Sequence, residues 1–177
     1  MKRLFLIGGP MGVGKTAVGR ALQHLQPGSV FLDGDWCWDA NPFAVTPETQ
    51  AMVLENIRFL LGQFLRCSAY ETVIFCWVMH RQDILDGILS GLELAGVEVR
   101  SVSLTASPAQ LRQRLEGDVA AGVRQADVVG RSLSYLPLFD ALDTVKLDTT
   151  GCTPEETARS LLAAERRTER TEPETSL

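Results

Sequence analysis

The sequence has no surplus of positive charge: 17 Lys and Arg stand against 22 Asp and Glu, a formal net charge of −5, with a sequence pI near 5.1. A polyphosphate backbone attracts dense Lys and Arg, so this balance argues against a nucleic-acid partner and leaves room only for a local basic patch. Cysteine is scarce, and Cys37, Cys67, Cys76 and Cys152 form no C-x-x-C pair. That spacing argues against a disulfide framework and a structural zinc site, and two of the four sit in apolar runs that suit buried, reduced thiols. No apolar run approaches the length of a membrane span, and the short run after Lys2-Arg3 ends in glycines too early for a signal segment, so no membrane partner is expected. The expected setting is the cytoplasm, as a monomer or homodimer. No internal repeat is visible.

What is present is one domain's worth of core-forming sequence. Of 177 residues, 45% are apolar, enough to close a single sizeable core. Short apolar runs at 2–7, 30–33, 72–77, 97–104 and 144–147 read as strands and alternate with longer helix-period segments. That order predicts a parallel sheet covered by helices on both faces, an α/β fold. Thr46-Pro47, Ser107-Pro108 and Thr153-Pro154 each place a capping hydroxyl before a proline at the first helical position, with Gln110 and Glu156 spaced for capping boxes. Over 47–66, Met52, Ile57, Leu61 and Leu65 read as a core-facing stripe. From Glu165 onward the chain is charged and nearly devoid of apolar residues, so the domain is expected over 1–164 and a disordered tail over 165–177.

The strongest chemical signal is Gly9-Pro10-Met11-Gly12-Val13-Gly14-Lys15-Thr16, a G-x-x-x-x-G-K-[ST] loop that follows a strand and opens a helix. Its glycines let successive N–H groups, through Ala17, curl around one anion at the positive end of a helix dipole. Lys15 is placed for the β- and γ-phosphates of ATP and the Thr16 hydroxyl for Mg²⁺. Motor and AAA-type ATPases carry an acid at the end of a later apolar strand, and here Val73-Ile74-Phe75 runs into Cys76-Trp77 instead. A GTPase reading also fails: Val145-Lys146-Leu147-Asp148 has valine where guanine recognition needs a side-chain hydrogen bond, and Asp127-Val128-Val129-Gly130 falls in a helix.

Acids appear after the second strand, in FLDGDWCWD. Asp33 and Asp35 flank Gly34 and point past the carboxyl end of the strand, beside the phosphate loop. One suits Mg²⁺, the other the proton of an attacking hydroxyl, and the residues alone do not say which does which. A plain D-G turn with solvated carboxylates is the alternative.

The N-terminal loop, the L-D-G-D after the second strand, a late arginine-bearing segment and the terminal LDTTGCTPEE together resemble the small P-loop kinases, among them adenylylsulfate, gluconate and shikimate kinases. The whole stretch FLDGDWCWDANPF also resembles bacterial nucleotide kinase-like proteins. The resemblance implies a three-layer α/β/α P-loop NTPase with a five-stranded parallel sheet and a small helical lid over about 112–131. It implies Arg114 and Arg124 as phosphate contacts and Arg112 nearer the adenine, with Arg131 on the helix leaving the lid. It also implies that residues 148–153 meet the adenine.

For the acceptor, Trp36, Trp38 and Trp77 fall at the carboxyl ends of strands and could wall a planar or ring-shaped molecule, or simply pack in the core. Arg81 is a candidate anion contact, with His80 ranked below it, and the resemblance to shikimate kinase implies a substrate contact for Arg58, on the helix after the D-G-D loop; His24 belongs to the surface of the first helix. The expected activity is transfer of the γ-phosphoryl group of ATP to a small-molecule acceptor, a nucleoside, nucleotide or cyclic hydroxylated metabolite. The alternative is an ATP-binding switch that performs no transfer.

Overall fold

The computed structural model describes residues 1–168. Strands and helices alternate as β1 (Lys2–Gly8), α1 (Lys15–Leu25), β2 (Ser29–Asp33), α2 (Pro47–Arg66), β3 (Thr72–Cys76), α3 (Gln82–Leu89), β4 (Val97–Thr105), α4 (Pro108–Ala120), α5 (Val128–Tyr135), β5 (Val145–Asp148) and α6 (Pro154–Thr168). Two 3₁₀ helices, Gly34–Cys37 and Leu136–Ala141, follow β2 and α5. Of the expected tail, the backbone of α6 occupies 165–168 and the remainder lies outside the described residues.

The strands pair in parallel in the order β2-β3-β1-β4-β5. β1 and β3 are buried on both faces, which is why they read as unbroken apolar runs rather than alternating ones. The pleat still sorts their side chains. Phe5, Ile7, Ile74 and Cys76 point into one core with Leu22 of α1, Leu111 of α4 and Leu161 of α6. Leu4, Leu6, Val73 and Phe75 point into the other with Ile57 of α2 and Ile88 of α3. The result is the expected three-layer α/β/α arrangement, each fully buried large side chain contributing about 1.5–3 kcal/mol.

Two details differ from expectation. The buried stripe of α2 is Val53, Ile57, Leu61 and Leu65, whereas Met52 is 40% exposed. Helical residues turn about 100° each, so a residue five before Ile57 points well away from it and one four before shares its face. Ser107 caps α4 by accepting from the Gln110 N–H, but the Gln110 side chain accepts from the Gly151 N–H instead of closing a box. Thr46 and Thr49, by contrast, do form a reciprocal cap on α2, as Thr153 and Glu156 do on α6.

Register brings the chemistry to one edge. Asp33 lies opposite Cys76, and Cys76 lies opposite Ile7, so the carboxyl ends of β2, β3 and β1 are level. The loop between β1 and α1 therefore emerges beside Asp33. Among the described residues no helix is long and apolar enough to cross a membrane.

Candidate active site

The loop from Gly9 to Gly14 turns on three positive-φ glycines, Gly9, Gly12 and Gly14. Gly12 shows why the residue type is fixed: at φ +78° an added Cβ would also lie 2.5 Å from Leu115 Cδ2. Gly14 is the N-cap of α1 with no side-chain cap, and the first turn carries no acid. The leading N–H groups of α1, including those of Thr16 and Ala17, therefore have neither carboxylate nor hydroxyl from their own helix, the condition of an anion-binding helix start. Val13 is buried and anchors the loop in the core, and the Met11 carbonyl accepts from Ser132 Oγ at 2.7 Å. That last contact ties the loop to α5 through a buried serine that no sequence pattern marks.

Lys15 crosses the mouth of the loop, donating from Nζ to the Gly9 and Pro10 carbonyls at 2.9 Å each. Burial lowers its pKa from 10.5 to about 8, against the pull of Asp35 and Asp33. Thr16 Oγ1 donates to Asp33 Oδ2 at 2.8 Å. Asp33 is 7% exposed, and its other oxygen accepts from the Asp35 N–H at 3.1 Å, capping the 3₁₀ helix. One hydroxyl and one buried carboxylate side by side form the partial set of hard oxygens that Mg²⁺ takes when phosphate oxygens and waters complete its shell. The residues present thus fit a phosphate-bound Mg²⁺.

Asp35 differs from its neighbour. It opens to solvent at the sheet edge, yet surrounding protein raises its carboxyl pKa, as does the Asp33 charge, while Lys15 and a hydrogen bond to Trp77 oppose the rise. Cys76 lies behind the pair, its Sγ 4.0 Å from Thr16 Oγ1 and its thiol held neutral by burial. Trp77 packs so closely on Gly34 that an added Cβ there would meet its Cγ at 2.4 Å.

The arginines divide by role. Arg114 donates from one guanidinium nitrogen to the Val13 carbonyl at 3.1 Å and to Thr149 Oγ1 at 3.0 Å, and from another to the Thr149 carbonyl at 2.9 Å. It clamps the phosphate loop to the β5–α6 turn and lines a cleft of about 210 Å³ with Gly12, Thr149, Cys152 and Pro154. Arg112, by contrast, is exposed and loosely paired with Glu116 at 3.8 Å. Arg124 lies beyond α4 in an exposed stretch and pairs with Asp118 at 2.9 Å. Its charge still reaches both Lys15 and Asp35. Arg131 pairs with Asp127 at 3.5 Å on α5.

The tryptophans do not form one wall. Trp36 is 56% exposed and turns to the α1 side, edge-on to Phe31 with the Arg20 guanidinium 5.2 Å from its ring. Trp38 and Trp77 pack on the α2–α3 side, where Trp38 meets Phe43 at 4.5 Å. His80 stacks on Tyr135 at 4.6 Å on the same side, and burial lowers its pKa. Arg58 donates from Nε to the Gly87 carbonyl at 2.6 Å and its stem lies against Gly91, so it fastens α2 to the end of α3. Arg81 is exposed and doubly paired with Asp83.

The protein resembles several solved structures over nearly its whole length. The tunicamycin resistance protein of Deinococcus radiodurans superposes with a TM-score of 0.67 at 22% identity, covering 93% of this chain and 96% of that one. A gluconokinase from Sinorhizobium meliloti 1021 gives 0.65 at 20%, covering 95% and 97%. The shikimate kinase of Aquifex aeolicus vf5 gives 0.62 at 15%, covering 96% and 99%. At these identities the likeness establishes the fold. No curated protein matches by sequence. A family model described as AAA domain matches residues 6–129. This match corrects the reading that pointed away from AAA-type proteins: β3 does end on Cys76 without an acid, and Asp33 supplies a carboxylate at the neighbouring end of β2 instead. With the model matching more than half of the chain and a phosphate loop at the centre of a parallel sheet, the chain belongs to the AAA domain family.

Proposed function

We propose that this protein is an ATP- and Mg²⁺-dependent phosphotransferase acting on a hydroxyl of a small molecule in the cytoplasm. The observation that carries the proposal is the pairing of Thr16 with buried Asp33 while Asp35, one residue beyond Gly34, stays open at the same edge with a raised pKa. A protein that only senses ATP has no use for a second, separately tuned carboxylate beside the phosphate loop.

The chain's groups take distinct tasks. The N–H groups of the loop and the start of α1 hold the donor phosphates, and Lys15 turns its ammonium from the Gly9 and Pro10 carbonyls to the β- and γ-phosphates. Thr16 and Asp33 would hold Mg²⁺, which would supply neutralisation of charge on the phosphate oxygens. Asp35 accepts the acceptor's hydroxyl proton as the new O–P bond forms and the bond from the γ-phosphorus to the bridging oxygen breaks, leaving ADP. Arg124 moves from Asp118 toward the transferred group as the lid closes. The gluconokinase and shikimate kinase named above act on small hydroxylated acceptors, in keeping with this reading.

Transfer of labelled γ-phosphate from ATP to pooled nucleosides, nucleotides, sugar acids and hydroxylated ring compounds tests the proposal. A labelled product that disappears with Lys15→Ala supports it, whereas ATP binding without any labelled product favours a switch.

A further inference from the structure

The acceptor side holds aromatic rings and carboxylates, and its cations are committed elsewhere. From Gly34 to Thr46 the chain has no Lys or Arg but carries Asp35 and Asp39. Helix α2 has two arginines: Arg58 is spent on the Gly87 carbonyl, and Arg66 stands at the far end of the helix, away from the reactive edge. After β3, Arg81 is paired with Asp83 in solvent, and His80 is neutral against Tyr135. Arg131 of α5 is paired with Asp127. The apolar groups are not so committed. Trp38 is partly buried, Phe43 leans on it while 61% exposed, and Val45 is 59% exposed just before α2. Trp77 spans the gap between Asp35 and the second core.

Resting on the phosphotransferase reading, we infer that the acceptor is an uncharged, ring-bearing alcohol, bound by Trp38, Phe43 and Trp77 with its hydroxyl at Asp35, and that anionic acceptors are rejected. An acceptor phosphate or carboxylate would meet Asp35 and Asp39, while among the described residues the guanidiniums on this side, Arg58, Arg81 and Arg131, each already hold a partner and Arg124 is taken by the transferred phosphoryl group; an anion taken from water without a partner is strongly disfavoured. An uncharged ring loses little on desolvation and gains the aromatic faces. The reaction joins the acceptor oxygen to the γ-phosphorus, releases ADP and gives the hydroxyl proton to Asp35. A nucleoside fits this description; its monophosphate does not.

The test uses matched pairs: a nucleoside and its monophosphate, and an aromatic alcohol bearing a carboxamide and the same alcohol bearing a carboxylate. Binding to the intact protein is measured by calorimetry with the donor site saturated by a non-hydrolysable ATP analogue and Mg²⁺, so that the monophosphate cannot occupy the phosphate loop. The uncharged member of at least one pair binds tenfold or more tightly than its anionic counterpart. Phe43→Ala, an exposed change that spares the core, weakens that member several-fold, and Arg81→Ala leaves it unchanged. Equal or tighter binding of the anionic members, or no binding by any uncharged member, overturns the inference. Labelled transfer from ATP is then run on the same pairs. An uncharged ligand that binds and stays unlabelled counts against phosphotransfer while leaving the ligand class intact, so the two failures are told apart.

Discussion

Thr16 Oγ1 donates to Asp33 Oδ2 at 2.8 Å, joining the first residue after the phosphate-loop lysine to the last residue of β2. In the proposed reading this is where a divalent cation would be held between the two elements. The hydrogen bond also separates the roles of two carboxylates that the sequence leaves equivalent. Asp33 is occupied on both oxygens, and Asp35, facing outward, is the one the proposal gives to the acceptor.

Gly34 sets the spacing between those carboxylates. Gly34→Ala drives a Cβ to within 2.4 Å of Trp77 Cγ, an overpacking that costs about 1–3 kcal/mol. At about 2–4 °C per kcal/mol for a chain of this size, melting falls measurably. Turnover falls too, because Trp77 bonds Asp35. Gly117→Ala is the control: nothing lies within 4 Å of its added Cβ inside α4, and melting rises slightly as backbone freedom is lost from the unfolded chain.

Lys15 gives the protein a pH signature. Burial holds its ammonium at about 8, below the usual 10.5. Bound phosphates favour the charged form and raise that value. Between the two pKa values the free protein lacks a proton that the complex holds. ATP binding therefore takes up protons and weakens as pH rises through the window, and does neither well below it. Calorimetry in two buffers of different ionisation enthalpy, at about pH 9 and about pH 6, shows the uptake only at the higher pH.

Arg114 acts as a clamp. Arg114→Ala removes its bonds to Val13 and Thr149 and costs about 2–3 kcal/mol by urea unfolding, with weaker ATP binding besides. Arg114→Lys does not restore it, because one ammonium cannot reproduce the planar fork. Arg81→Ala, which breaks only a solvent-exposed pair, leaves the urea midpoint essentially where it is in the wild type.

Sequence made the phosphate loop and the strands legible because both depend on residue type at fixed spacing: three positive-φ glycines at the loop, unbroken apolar runs at β1 and β3. Partner choice was not legible. Nothing in the spelling of Arg58 shows that the Gly87 carbonyl lies beside it, nor does the spelling of Arg112 and Arg114 show that Arg114 is the one whose side of α4 meets the loop. The tryptophans divided for a geometric reason. Two residues apart on a strand, Trp36 and Trp38 would share a face. The 3₁₀ turn at Gly34–Cys37 advances about a third of a turn per residue and sends them to opposite sides.

The most direct test compares wild type and Asp35→Asn in one experiment, following labelled γ-phosphate into acceptor while ATP affinity is measured on the same preparations. The account predicts a labelled acceptor with wild type, a loss of turnover of about 10²–10⁴ in the variant, and ATP affinity nearly unchanged. Equal ADP release from both proteins with no labelled acceptor would contradict it and leave a nucleotide switch as the better description.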